Sequence, residues 1–453
     1  HIRDSVIGGT INGNGFIAYK VTATKDDSIL TKIIKLVEEA SSKKAPIAKL
    51  ADTISGYFVP SVFLFAIVAL IGWLLLGDSL YFALSIFVSI LVIACPCALG
   101  LATPVAIIVG TGKGASNGIL IKSGLALELM NKAHVVILDK TGTITTGKPV
   151  VTDIVIYNEK YDQNEFLKYT ASIEHKSEHP IAKSIISKET TKNYYKVKDY
   201  ISLPGYGIKA TINGNSILTG NSKLMLDNGI DLELTKKDIE NLSLTGKTVL
   251  YVAINNEITG IIAIADTIKK TSKAAVKKLQ KMGIEVVMLT GDNDNTARYI
   301  ANEVGIDNVI ANVLPKDKYT VVKDYQKNNK VIMVGDGIND APALVQADVG
   351  IAIGKGTDIA IESADVILMK DDLLDVVSAI LLSKHTIKNI KQNLFWAFFY
   401  NVAGIPIAAG TLYLFGGPLL SPLLAGAAMA FSSISVILNA LRLKNIKIKE
   451  ERV

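Results

Sequence analysis

Val135-Val-Ile-Leu-Asp139-Lys-Thr-Gly-Thr-Ile-Thr145 is the stretch from which the fold of this chain is read. Four apolar residues end in a carboxylate, and a lysine, a glycine and several hydroxyls follow at once. An unbroken apolar run of this length suits a strand buried on both faces of a parallel sheet. In open α/β sheets the chemistry gathers just beyond the carboxyl ends of the strands, which is where Asp139 falls. A carboxylate so placed can act as a nucleophile and form an acyl-phosphate. Taken alone, Asp-x-Thr-Gly also fits a plain strand followed by a turn.

Two later stretches repeat the layout. Glu285-Val-Val-Met-Leu-Thr290-Gly-Asp292 and Val331-Ile-Met-Val-Gly335-Asp336-Gly-Ile-Asn339-Asp340 are again apolar runs that end in polar clusters. As parallel neighbours of the first strand, they would bring Asp139, Thr290, Asp292, Asp336, Asn339 and Asp340 to one edge of one sheet. Clustered carboxylates are costly unless a cation shares them. Oxygen ligands of this kind suit Mg²⁺, which would also neutralise a transferred phosphoryl group.

The 453 residues leave room for two or three domains. Half of them are hydrophobic (49%), and the mean hydropathy of +0.35 is high enough to imply partial burial in lipid. A net charge of +6, with no concentrated basic patch, argues against nucleic acid as a partner. The lysines and arginines gather instead beside apolar segments, as membrane topology requires. Two cysteines, Cys95 and Cys97, give no disulfide framework. The chain begins at His1 without a signal peptide, and it reads as a fragment.

Taken in order, residues 1–24 alternate around Gly8-Gly9 and Asn12-Gly13-Asn14-Gly15, which is hairpin chemistry. Residues 25–54 form an amphipathic stretch leading to a membrane. Residues 55–112 hold two charge-free spans, Phe58 to Leu76 and Leu80 to Gly112, long enough to cross a bilayer at ~20 residues each. Residues 113–148 open the catalytic sheet. Residues 149–262 change character to short strands, small helices and glycine turns, the mark of an inserted α+β domain. Residues 263–387 return to alternating strand and helix. Residues 388–441 hold two more spans, Leu394 to Phe415 and Pro418 to Leu441, before a basic tail at 442–453. The expected architecture is a doubly wound parallel α/β sheet with an inserted domain, plus four transmembrane helices in two hairpins.

Cys95-Pro96-Cys97 lies inside the second span. Proline removes a backbone donor and clashes with the preceding turn, so the helix should break there. Broken helices at mid-membrane are where transporters place ions. Two thiolates flanking the break suit a soft metal. None of the four spans contains Asp or Glu, which disfavours a hard divalent cargo.

The full string DKTGTIT resembles the phosphorylation signature of the P-type ATPases, the ion-pumping branch of the haloacid dehalogenase superfamily. The combination of CPC, Tyr400-Asn401 and Met429-x-x-Ser432-Ser433 is similar to the copper(I)-transporting subgroup of the heavy-metal pumps. That resemblance implies phosphorylation of Asp139, with Lys140 and Thr141 on the phosphate. It also implies a Thr290-Gly291-Asp292 element, a charge-balancing Lys318, and Mg²⁺ at Asp336, Asn339 and Asp340. Thr141 stands where related phosphatases carry a second Asp, so the acyl-phosphate should persist.

For the inserted domain the resemblance implies ATP binding by Glu174, Glu178, His179, Gly205, Gly207, Ile208 and Asn221. For the cargo it implies Cu(I) held by Cys95, Cys97, Tyr400, Asn401, Met429 and Ser433, with delivery by a copper chaperone. It further implies an integral protein of the plasma membrane with its catalytic domains in the cytoplasm, and it makes residues 1–24 the tail of an actuator domain. The rivals are a zinc/cadmium pump, a membrane-tethered phosphohydrolase without transport, and a non-catalytic metal-binding membrane protein.

Overall fold

The computed structural model describes residues 46–95, 97–177, 180–203, 206–314, 317–336, 340–354 and 362–448. The expected actuator remnant and most of the amphipathic helix lie outside the described residues. So do Pro96, Glu178, His179, Gly205, Asn339 and the end of the basic tail.

Thirteen strands are present among the described residues: β1 (Ile119–Ile121), β2 (Val135–Asp139), β3 (Thr145–Ile156), β4 (Val197–Leu203), β5 (Gly207–Ile212), β6 (Asn215–Gly220), β7 (Thr248–Ile254), β8 (Glu257–Ile268), β9 (Glu285–Leu289), β10 (Asn308–Ile310), β11 (Val331–Gly335), β12 (Val349–Ile353) and β13 (Val366–Leu368). They divide into two sheets. The first has the order β1-β13-β12-β11-β2-β9-β10 and is parallel except at β1. The second, β3-β8-β7-β6-β5-β4, is antiparallel throughout.

The unbroken apolar runs have a simple cause. Alternate residues of the central strands go to opposite faces, and both faces are covered. Val136, Leu138, Met288 and Val334 join one core. Val135, Ile137, Leu289 and Met333 join the other. A strand wet on one side would alternate instead. The second sheet leaves the first after β2 and returns to it through β8, with Thr145 paired to Ile268. It carries two cores of its own, built around Phe166 and Ile173 on one side and Met225 and Leu242 on the other.

The apolar helices are α1 (Pro46–Leu75), α2 (Leu80–Ile93) and α3 (Cys97–Ser116) before the sheet. Helix α4 (Lys318–Gln326) belongs to the sheet layer, and α5 (Leu374–Ala408) and α6 (Pro422–Leu441) follow it. Among the described residues, three stretches are long and apolar enough to cross a membrane: Thr53–Leu75, Leu80–Ser116 and Pro422–Asn445. Within the second of these, α2 ends at Ile93 and α3 begins at Cys97. The third expected span, Leu394 to Phe415, differs. Leu394 is not the start of a helix but lies midway along the 35-residue α5. The first half of that helix, with Val376, Ile380, Leu382 and Ile390, is part of the soluble core. The helix stops at Ala408, and Gly410 adopts a left-handed φ of 92° before one short turn at Thr411–Leu414. A residue with a Cβ would be strained there. Behind Gly410, Trp73 donates from its indole N–H to the Ala409 carbonyl at 2.9 Å and ties α1 to this corner.

Candidate functional site

Strands β11, β2 and β9 are adjacent, with Val334 beside Leu138 and Asp139 beside Leu289. Their carboxyl ends therefore open onto one edge. From α4, 179 residues beyond Asp139, the ammonium of Lys318 reaches into this edge. It donates to Asp139 Oδ1 at 2.6 Å and to Asp340 Oδ1 at 2.7 Å. All three side chains are buried. Lys140 is ion-paired with Asp292, and the Thr290 hydroxyl accepts from the Asp292 backbone N–H at 3.1 Å. Thr141 faces solvent at the mouth of the edge.

Burial pushes the Asp139 carboxyl up to about 7, with Asp340 and Asp336 adding to the push and Lys318 opposing it. Burial also raises Asp336, helped by Asp340 and opposed by Lys269. Burial alone would lower the Lys318 ammonium, but Asp139 and Asp340 outweigh it and hold it above its ordinary value. The site thus holds more negative charge than its lysine can match. Carboxylate oxygens of Asp139, Asp336 and Asp340 lie within 4.8 Å of one another. Three carboxylates against one ammonium leave an excess of two negative charges. A divalent cation with hard-oxygen preference fits that deficit, and it would return Asp139 to the ionised form a nucleophile needs. Asn339, the other expected ligand, is outside the described residues.

Glycine is required in two places here. Gly142 has φ 75°, and a Cβ on it would land on the Asp336 carboxylate. A Cβ on Gly335 would meet Asp340. The backbone must pass this close because the carboxylates converge on one point.

The sequence reading missed two groups. Lys269, at the return of β8, is buried and donates to the Gly142 carbonyl and to Asp371. Its backbone N–H also donates to the Ile144 carbonyl at 3.0 Å, so the loop after Asp139 is held from below. Nothing in the string Ile268-Lys269-Lys270 distinguishes one lysine from the other; burial does. The Thr143 hydroxyl is buried, with no hydrogen-bond partner among the described residues. Its position inside DKTGT was the available signal.

A second site lies in the antiparallel unit. A cavity of about 340 Å³ is lined by Glu174, Gly207, Ile208, Thr219 and Asn221, among others. Four residues expected at the nucleotide are thereby gathered: Glu174, Gly207, Ile208 and Asn221. Burial pushes Glu174 up to about 7, offset only in part by the Thr219 hydroxyl that donates to it at 3.1 Å. A Cβ on Gly207 would strike the backbone of Thr219 and Gly220. Asn221 also has a structural duty, since its Oδ1 caps the helix Ser222–Asp227 by accepting from Leu224 N–H at 2.9 Å. Glu178, His179 and Gly205 are outside the described residues, although Ser177 and Tyr206 beside them line the cavity.

Among the expected cargo residues, Asn401 is buried while Tyr400 is 46% exposed. Ser432 is buried and Ser433 half-buried, its hydroxyl turned back to the Met429 carbonyl at 3.4 Å. Cys95 is half-buried. The side chain of Cys97 is outside the described set.

Residues 133–348 match a family model described as haloacid dehalogenase-like hydrolase, and residues 316–381 match a second model of the same description. The whole chain is 52% identical over 458 residues to a copper-exporting P-type ATPase of Staphylococcus aureus strain JH9. It covers 56% of that protein, so it spans little more than half the length of the curated relatives it matches. Among solved structures it is similar to a zinc-transporting PIB-type ATPase. The TM-score there is 0.78 and the identity 35%, over 94% of this chain and 68% of that one. A second crystal structure of a zinc-transporting PIB-type ATPase, captured in a different state, gives a TM-score of 0.72 with equal identity and coverage.

Proposed function

The chain belongs to the PIB-type branch of the P-type ATPases, and from that premise we propose that it is the catalytic and cargo-binding portion of an ATP-driven copper(I) exporter. The observation that carries the reading is the Lys318 bridge between two buried carboxylates, Asp139 and Asp340, at the strand edge.

ATP is taken up in the cavity of the antiparallel unit, where Glu174, Gly207 and Ile208 meet the nucleoside end. An oxygen of Asp139 attacks the terminal phosphorus, the bond to the bridging oxygen breaks, and ADP leaves. The product is an acyl-phosphate on Asp139. Lys318 balances charge as it develops, and Lys140 and Thr141 lie against the transferred group. Asp336 and Asp340 would hold Mg²⁺, which would supply further charge neutralisation when bound. Thr141 offers no carboxylate to activate water, so the intermediate survives long enough to be coupled to transport.

The cargo is assigned by ligand chemistry. Cys95, Cys97 and Met429 are soft sulfur donors, Asn401, Tyr400 and Ser433 accompany them, and the apolar stretches carry no Asp or Glu. The 52% identity to a copper exporter agrees with this choice. A second reading, zinc as cargo, is favoured by the two zinc-transporting structures at 35% identity, and it is opposed by the missing carboxylates. On either reading the protein is integral to the plasma membrane with its catalytic sheet in the cytoplasm, and delivery of copper by a chaperone belongs to the first.

With γ-labelled ATP and Mg²⁺, reduced protein should take up an acid-stable, hydroxylamine-sensitive label when Cu(I) is present. Asp139→Asn should abolish it. Labelling that persists in this variant removes Asp139 from the role, and labelling driven by Zn²⁺ but not Cu(I) transfers the cargo assignment to zinc.

A further inference from the structure

Helices α3, α5 and α6 are joined by a closed set of amides. Asn439 of α6 donates from Nδ2 to Asn393 Oδ1 of α5 at 2.8 Å. Asn393 donates in turn to Asn389 Oδ1 at 3.2 Å and to the Ala102 carbonyl of α3 at 3.3 Å. Asn389 closes the set by donating to the Asn439 carbonyl at 2.8 Å. Arg442 donates to the remaining oxygen, Asn439 Oδ1, at 3.3 Å. Asn389 and Asn393 are buried, and beside them lies the apolar cluster of Ala98, Leu99, Ala102, Ala397 and Val436.

Such a set is a poor way to gain stability. Hydrogen bonds between helices in lipid contribute little each. It is a good way to fix register, because any slip leaves buried amides without partners in a medium that offers none.

What that register fixes follows from helix geometry. Asn401 is eight residues beyond Asn393 on α5, and residue 431 is eight residues before Asn439 on the antiparallel α6. At ~1.5 Å per residue both lie ~12 Å past the amides, at one level. Met429 and Ser433 flank that level on α6. On α3, Cys97 is five residues before Ala102, ~7.5 Å along, and Cys95 stands just past the break. A cavity of about 240 Å³ connects the two levels, lined by Asn393 and Asn439 at one end and Tyr400 at the other.

We propose that Asn393 and Asn439 are positioning residues for the transported ion, locking three helices in the register that brings the CPC break, Asn401 and the Met429–Ser433 turn to one height. The proposal rests on the assignment of those residues to the cargo. The outer partners of metal ligands typically change affinity by roughly 10- to 100-fold when removed, and that is the effect expected here.

The test uses the full-length protein in lipid nanodiscs under reductant. In Asn393→Leu and Asn439→Leu, the Cu(I) concentration for half-maximal labelling should rise roughly ten-fold or more. ATP affinity and label yield at saturating Cu(I) should stay at wild-type values, and X-ray absorption should show an altered copper shell. The milder Asn389→Ala should shift the Cu(I) midpoint by a smaller factor, and it serves if the leucine variants fail to fold. Folded variants with an unchanged Cu(I) midpoint and an unchanged copper shell overturn the proposal, whatever happens to their melting temperature. If the wild type answers to Zn²⁺ alone, the copper reading fails and the same comparison is run with Zn²⁺. A wild type that answers to neither ion overturns the cargo assignment and this proposal with it.

Discussion

Replacing Glu174 by glutamine should flatten the pH dependence of stability in the antiparallel unit. The carboxyl stands at the wall of the cavity in that unit, 4% exposed, and burial moves it from an ordinary 4.5 to about 7. The folded state therefore holds this proton more tightly than the unfolded chain does. Its contribution is fully present below about 4.5 and is lost as pH rises through about 7. At ~1.4 kcal/mol per tenfold change in proton activity, the displacement amounts to about 3 kcal/mol. Glutamine keeps the carbonyl that accepts from Thr219 but cannot titrate. The unit from Thr145 to Ile268 has adjacent ends, paired with each other, and can be excised for urea unfolding at pH 5, 6, 7 and 8. Wild type should lose about 2–3 kcal/mol relative to Glu174→Gln across that range. Parallel curves for the two proteins would refute the reasoning, since they would mean Glu174 titrates alike folded and unfolded.

Gly142→Ala forces a Cβ onto the Asp336 carboxylate at a left-handed φ; strain and displacement together should cut acid-stable labelling by roughly ten-fold or more while ATP binding, followed by calorimetry, holds. Lys318→Ala leaves Asp139 and Asp340 facing each other without their shared cation. It should cost about 3–5 kcal/mol of stability, and the rise in Tm on adding Mg²⁺ should be larger than in wild type. Gly207→Ala sets a Cβ against the strand opposite and should weaken ATP binding to the antiparallel unit roughly ten-fold, again by calorimetry, with the Mg²⁺ dependence of labelling unaltered.

The sequence by itself determined the strand identities, because burial on both faces demands unbroken apolar runs and β2, β9 and β11 have them. It determined that polar groups follow each run directly, and that a proline must interrupt the second apolar stretch. These are properties of residues within a few positions of one another, where backbone sterics and hydropathy period act. It did not determine where α5 begins, since a helix that is half soluble core and half apolar bundle has no boundary in its own composition.

The tertiary structure decided the rest. Lys318 meets Asp139 across 179 residues, Lys269 meets Gly142 across 127, and Asn393 meets Ala102 across 291. Such pairs depend on strand order and helix register, which no local pattern encodes. The same holds for charge state. Asp139 and Glu174 are ordinary carboxylates as letters in a string, and it is chiefly their removal from water that moves both to about 7.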